Sequence, residues 1–391
     1  QIRCSAGIAC TQRLGPGVEN MPGELEVANL SPHDAVVCHL EHDGQKLEEG
    51  SLVFIQAALL YTSTSGQRRV RCHTLGLPVT GLLPHLFRST DVETVSAVMM
   101  RQAVSKALHD SVAVRDVLKE MDESMLALML GYRRRCAPDS AQGQLILPET
   151  LPVLPLYMLC ARKMIALRSN PQGSPPDVRA DERAARLLST STMSVAGLVQ
   201  TLYPSLYSVH DLPPDVGDAP PRPPDGETRG FAGEGCGVEG IWGRPRPGVD
   251  VPETLPPTSQ NLVGEGVFLL DAGEDILMYV GRGVSAEVMY ELFGVDVPAG
   301  RLGSSDYGNG AGRLRLREDE GYDHARRVRN VIAHLRRGSS TFKPLVIVVA
   351  NSGAPQEARF VSLMVEDKTR HGPSYVEELL TLHRKIQTRI S

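Results

Sequence analysis

Apolar residues change their spacing twice along this chain, and each change marks a different kind of structure. Up to about residue 87 they come as short runs or alternate with polar residues, the period of β-strands. Ile2–Cys10 and Ala35–Leu40 read as strands, with a turn at His42-Asp43-Gly44. Phe54–Thr62 is almost continuously apolar, which predicts a strand buried on both faces. Ser63-Thr64-Ser65-Gly66 supplies turn chemistry, and a return strand follows. On that strand Arg69, Arg71 and His73 fall on one side and Val70, Cys72 and Thr74 on the other, so the alternation predicts a charged surface and an apolar core side.

From Thr90 the period becomes helical. Thr90 and Glu93 have capping-box spacing, and Val95, Val98, Met99 and Ala103 follow at helical intervals. A second stripe carries Val114, Val117, Leu118, Met121, Met125, Leu128 and Met129; it reads as core, and Arg133-Arg134-Arg135 suits the negative end of that helix. Leu145–Leu167, Asp181–Leu188 and Met193–Tyr203 continue the helical region. Residues 211–258 read as a linker stiffened by prolines 213, 214, 220, 221, 223 and 224. Gly235 to Gly240 spells G-x-G-x-x-G, but without the strand and helix that a dinucleotide site requires, and Trp242 lies in the same segment. From Leu262 the pattern is α/β. Strands are predicted at Val267–Leu270, Ile276–Val280 and Leu345–Ala350, and helices at Glu287–Phe293 and Asp323–Leu335. Ser374–Ile390 is an amphipathic helix after the break at Gly372-Pro373, with Tyr375, Leu379, Leu382, Ile386 and Ile390 on one stripe.

Composition narrows the function classes. A length of 391 residues suits two or three domains, and 41% hydrophobic residues suffice for packed cores. A formal charge of −5 argues against nucleic acid as the main partner. Seven cysteines without a C-x-x-C read as reduced thiols of a cytosolic protein. No apolar run is long enough for a transmembrane helix, and no secretory signal is visible. There is no G-x-S-x-G, no histidine pair at metal-ligand spacing, and Glu366-Asp367 reads as a solvated helix end; no catalytic centre emerges. Gln1 stands where a methionine would begin a gene product, which reads as a fragment or a processed chain.

Several segments together carry a family resemblance. ALLYTS, GQRRVR and HTLGLP in the hairpin, GQLILPE, LPLY and the DERA segment further on, and FVSLMVEDKT with SYVEELLTLHRKI near the end resemble the inner-coat subunits of the COPII vesicle coat. The later segments resemble the cargo-adaptor branch, the Sec24 type, rather than its sister, the GTPase activator. GVFLLDAGEDILMYVG resembles the first hairpin of a gelsolin-like module. The longer linker and the glycine-rich Gly308–Gly312 loop lie outside the likeness.

The resemblance implies a multidomain chain, the C-terminal half of such an adaptor. It would comprise a partial β-sandwich (1–87), an all-α domain (88–210), a Pro/Gly-rich linker (211–258), an α/β gelsolin-like domain (259–371) and a closing helix (372–391) that returns to the helical domain. The remaining sandwich strands, a zinc finger with its structural zinc, and a trunk domain are expected upstream of Gln1; no cofactor is expected within the chain. The implied function is non-enzymatic: cargo selection in endoplasmic reticulum (ER)-to-Golgi transport. The implied partners are the coat GTPase activator, the coat's small GTPase, cargo and SNARE sorting signals, the outer coat and anionic membrane. The implied location is the cytoplasm, peripheral on ER exit sites and COPII vesicles.

Arg68, Arg69 and Arg71 are the candidates for facing the membrane, since each basic group near anionic lipid gains about 1 kcal/mol. Two other readings attach to named residues. Ala358-Arg359-Phe360 resembles the segment that carries the sister subunit's arginine finger, although its flanks are of the adaptor type. The calcium site of gelsolin-like modules uses a Gly-Asp pair before the first strand; the matching pair here is Glu265-Gly266, which lacks that carboxylate.

Overall fold

The computed structural model describes residues 1–31, 33–109, 112–139, 143–168, 178–218, 249–302, 314–319, 321–337, 339 and 342–390. The chain divides into two compact units, Gln1–Val199 with Arg370–Ser391, and Gln200–Thr369. Gly235 to Gly240, Trp242 and Gly308–Gly312 lie outside the described residues.

The first unit combines strands and helices. β1 (Ile2–Cys4), β6 (Leu52–Thr62) and β7 (Arg68–Pro78) form one antiparallel sheet in the order β1-β6-β7. β2 (Ile8–Leu14) pairs with β5 (Val37–His42), and β3 (Val18–Met21) with β4 (Glu24–Glu26). The β6–β7 hairpin has unbroken register from Leu52 opposite Pro78 to Thr62 opposite Arg68. Gly66 closes its turn at φ 81°, a conformation that only glycine adopts without strain.

Six helices follow. α1 (Leu83–Arg88) was not expected from the sequence. α2 (Val92–His109) is capped by Asp91, whose Oδ2 accepts from the Thr94 amide at 2.8 Å; the anticipated cap Thr90 instead donates to the Leu86 carbonyl at 2.8 Å, closing α1. α3 (Val114–Arg135) buries Val117, Leu118, Met121, Met125 and Met129 as predicted, whereas Leu128 is exposed. α4 (Leu154–Lys163) is nearly encircled by core. α5 (Ala180–Thr192) and α6 (Val195–Leu202) follow it. Arg101 on α2 ties the helices to the strands: it is 1% exposed and donates to the carbonyls of Ala35, at 2.7 Å, and of Met193.

The closing helix, Tyr375–Ile390, lies in this unit and packs on α3 and α4. Leu382 and Ile386 are 2% and 4% exposed, Tyr375 and Leu379 are half-buried, and Ile390 is exposed. The stripe also contains a buried carboxylate. Glu378, 5% exposed, meets the Arg162 guanidinium of α4 at 2.6 Å, and Asp122 of α3 meets the same group at 3.0 Å. Burial raises the Asp122 carboxyl above its ordinary range, opposed by Arg162 and reinforced by Glu378.

The second unit is built on one mixed sheet. β8 (Ser205–Ser208), β9 (Thr254–Leu255), β10 (Val267–Asp271), β11 (Ile276–Val280) and β12 (Leu345–Val349) take the order β12-β11-β10-β8-β9, and only the β11–β12 pair is parallel. β8 and β9 correct the sequence reading, which gave Ser205–Ser208 to the helical region and Thr254–Leu255 to the linker. Both pair into this sheet, so it begins well before residue 259. α7 (Ala286–Phe293) and α8 (Asp323–Arg337) cover one face through Met289, Leu292, Val328, Val331 and Ile332. α9 (Pro355–Ser362), also unanticipated, covers the other through Phe360, whose ring stacks on Tyr279 at 4.7 Å. A five-stranded mixed sheet between helices is the gelsolin-like architecture expected for this part of the chain.

Candidate functional site

The hairpin that carries the basic candidates is more exposed than its sequence suggests. Residues opposite one another in an antiparallel pair share a face. Arg69, Arg71 and His73 therefore lie with Tyr61, Leu59 and Ala57, and Arg68 lies on the reverse face with Thr62 and Leu60. The expected core side proves open: Val70 is 66% and Leu60 is 55% exposed. The buried side chain of the hairpin, Val53, lies at the other end and on the arginine side, and Ile55, Ala58, Tyr61 and Arg69 are half-buried. β1 pairs edge-on with β6 from Ile55 to Ala57 and so covers neither face. Beyond Ala57 the hairpin is a two-stranded ribbon, which cannot enclose an apolar face by itself.

The three arginines are not equivalent. Arg69 is half-buried and donates to the Gln67 side-chain oxygen through Nη2 at 2.5 Å and Nε at 3.2 Å. Arg68 and Arg71 are exposed and meet no carboxylate among the described residues. The hairpin thus presents one cation on each face and a third held along the strand.

Arg359 sits in the last turn of α9 and is committed to the fold. Its two terminal nitrogens meet the two oxygens of Asp275 at 2.7 and 3.0 Å. Asp275 is 4% exposed, so the guanidinium neutralises a carboxylate cut off from water. The first carboxylate of the same turn is treated likewise: Lys343 Nζ lies 2.8 Å from both oxygens of Asp271, and both side chains are buried. The β10–β11 turn is pinned by one cation at each end, each distant in sequence. The acidic residues of DAGED were visible in the sequence; their partners, 72 and 84 residues away, were not.

The position matched to the calcium-binding aspartate is structurally closed. A Cβ at Gly266 would stand 2.4 Å from the Phe268 ring, and the Gly264 and Gly266 carbonyls accept from Gly283 at 2.7 Å and Gly281 at 2.9 Å. No group of three metal-ligating side chains assembles among the described residues. Glu366 and Asp367 are not a solvated helix end. Glu366 accepts from the Tyr203 hydroxyl at 2.5 Å, and Asp367 accepts from the Thr258 hydroxyl at 2.5 Å and the Ser259 amide at 2.8 Å. No described helix is long and apolar enough to cross a membrane.

Comparison with known proteins fits this architecture. The Sec23/Sec24 beta-sandwich domain matches residues 1–80 and the Sec23/Sec24 helical domain matches residues 91–200. The chain is 32% identical over 394 residues to the protein transport protein SEC24 B of Arabidopsis thaliana, covering 100% of this chain and 31% of that protein. It is 29% identical over 393 residues to the human protein transport protein Sec24D, covering 99% and 33%. A crystal structure of the human COPII-coat protein Sec24c superposes with a TM-score of 0.80 at 26% identity, over 100% of this chain and 45% of that one. The chain spans about a third of the length of the curated relatives it matches.

Proposed function

The chain belongs to the Sec23/Sec24 family and is of the Sec24 type, and from that premise we propose that it serves as the C-terminal part of a COPII cargo adaptor. The observation that carries this reading is whole-chain likeness to Sec24c, with the sandwich, helices, mixed sheet and closing helix in one order. In this role the protein selects cargo and SNARE sorting signals for ER-to-Golgi vesicles and pairs with the coat GTPase activator. It is recruited by the coat's small GTPase beneath the outer coat, and lies peripherally on ER exit sites. It carries out no chemistry itself. A structural zinc belongs to an upstream zinc finger of the longer protein.

Two observations favour an adaptor over the other readings. Arg359 is held in a two-point pair with a buried carboxylate, whereas an arginine finger must project to a neighbouring phosphate. Gly266 leaves no room for the carboxylate of a gelsolin-type calcium site. On the hairpin, Arg68 and Arg71 offer uncompensated charge to an anionic membrane, and Arg69 supplements the Arg71 face. The decisive experiment is copurification of the longer protein with the GTPase-activator subunit. A stoichiometric heterodimer is expected. A monomer that instead sediments with filamentous actin would replace this reading with the gelsolin one.

A further inference from the structure

Among the described residues β12 ends its sheet, and its outer edge is unusually inviting. Along this strand Ile276 donates to the Pro344 carbonyl, and Ala350 donates to the Val280 carbonyl. Backbone groups of one residue point to the same side of a strand and alternate from residue to residue. Val346 and Val348 therefore direct their amides and carbonyls to β11, while Leu345, Ile347 and Val349 direct theirs outward. Among the described residues nothing pairs with that outward row.

Edge strands are commonly blunted by a charge, a proline or a bulge. The sequence of β12, LVIVV, contains none of these, and its register with β11 is regular. Lys343, just before it, is spent inward on Asp271. A groove of about 650 Å³ runs along this strand, lined by every residue from Pro344 to Val349. Residues of both side-chain parities line it in succession, so the groove follows the strand's edge rather than either face. Its apolar floor includes Leu316 and Ile332.

The groove's charge selects the occupant. Arg315, Arg329 and Arg336 line it against a single carboxylate, Glu318. Arg329 donates to the carbonyls of Arg317 and Asp319, and Arg336 donates to the Lys343 carbonyl at 2.8 Å while packing over Phe342. No carboxylate among the described residues pairs with any of the three. Two arginines are thus fixed in place with their charge uncompensated beside an open strand edge.

We propose that the free edge of β12 is a strand-addition site for an extended acidic peptide that alternates apolar residues with Asp or Glu. Backbone pairing to Leu345, Ile347 and Val349 supplies affinity. The carboxylates turn to the α8 face and meet Arg315, Arg329 and Arg336, and the apolar residues turn to the opposite face, beside Val346 and Val348. The site is confined to the second unit and stands independently of the coat reading.

The test uses the whole chain and a fluorescein-labelled heptapeptide alternating valine with glutamate, against a counterpart alternating valine with lysine. Fluorescence anisotropy is expected to show saturable binding of the glutamate peptide only, weakening as salt rises. Arg315→Glu, at an exposed residue, should cost about tenfold in affinity. Single-amide hydrogen exchange provides the signature: the peptide should slow Leu345, Ile347 and Val349 and leave Val346 and Val348 unchanged. Three outcomes overturn the proposal: absence of binding, binding without that alternate protection, or outward amides as slow as Val346 before peptide is added, since another part of the chain would then cover the edge.

Discussion

Deleting the closing helix by ending the chain at Pro373 should unravel the helical face of the first unit while sparing the second. The deletion removes Leu382 and Ile386, which are 2% and 4% exposed. Each such side chain contributes about 1.5–3 kcal/mol, or about 3–6 kcal/mol for the pair. Tyr375 and Leu379, half-buried, add roughly half as much again. The total, about 4.5–9 kcal/mol, is comparable with a domain's whole margin of about 5–15 kcal/mol. Electrostatics softens the loss only slightly, because Arg162 keeps Asp122 when Glu378 is gone. Hydrogen exchange by mass spectrometry should therefore accelerate across Val114–Arg135 and Leu154–Lys163 and stay unchanged across Val267–Val280. A milder perturbation, Leu382→Ala with Ile386→Ala, should accelerate the same helices, since each change costs about 2–5 kcal/mol. Unaltered exchange in α3 and α4, or acceleration confined to β10 and β11, would refute the assignment.

The sequence located elements better than it located their surroundings. The β6–β7 hairpin, the methionine stripe of α3 and the closing helix were legible because each is fixed by local periodicity and turn chemistry. Which face of the hairpin is covered was not legible. That depends on what packs against the sheet from elsewhere in the chain, which the alternation within the hairpin does not encode. Ser205–Ser208 was missed because four residues between a helix and a proline-rich stretch carry no periodic signal; pairing with β10 and β9 makes it a strand. Glu378 shows the complementary error. It was not singled out in the sequence, where a carboxylate beside an apolar stripe gives no sign of burial, and only a partner on α4 makes its burial tolerable. The basic candidates, legible as residue types, divide in the structure between two faces. For Arg359, sequence offered a resemblance to the arginine-finger segment, whereas Asp275, 84 positions earlier, gives it a structural task.

Three further outcomes are expected. Arg69→Glu with Arg71→Glu should weaken recruitment of the assembled coat to anionic liposomes, most strongly at low salt; unchanged recruitment at low salt would remove the membrane role. Asp122 has its pKa raised by burial, so in the window above its unfolded value of about 4 the native state binds more protons than the unfolded state, and stability falls as pH rises. Asp122→Asn should gain stability relative to the parent as pH rises above about 4, read from urea midpoints, and a pH-independent difference would contradict this. Arg359→Ala should leave coat-stimulated GTP hydrolysis intact and weaken the second unit, because it strands the Asp275 carboxylate without its cation. The cost should be about 2–3 kcal/mol, at or below the low end for a buried pair, since the arginine side chain is 43% exposed. Adding Asp275→Asn should recover part of that loss and keeps the hydrolysis assay interpretable in a folded protein. A fall in hydrolysis of about a hundredfold in the double variant would make Arg359 an arginine finger after all and move the chain to the activating branch of the family.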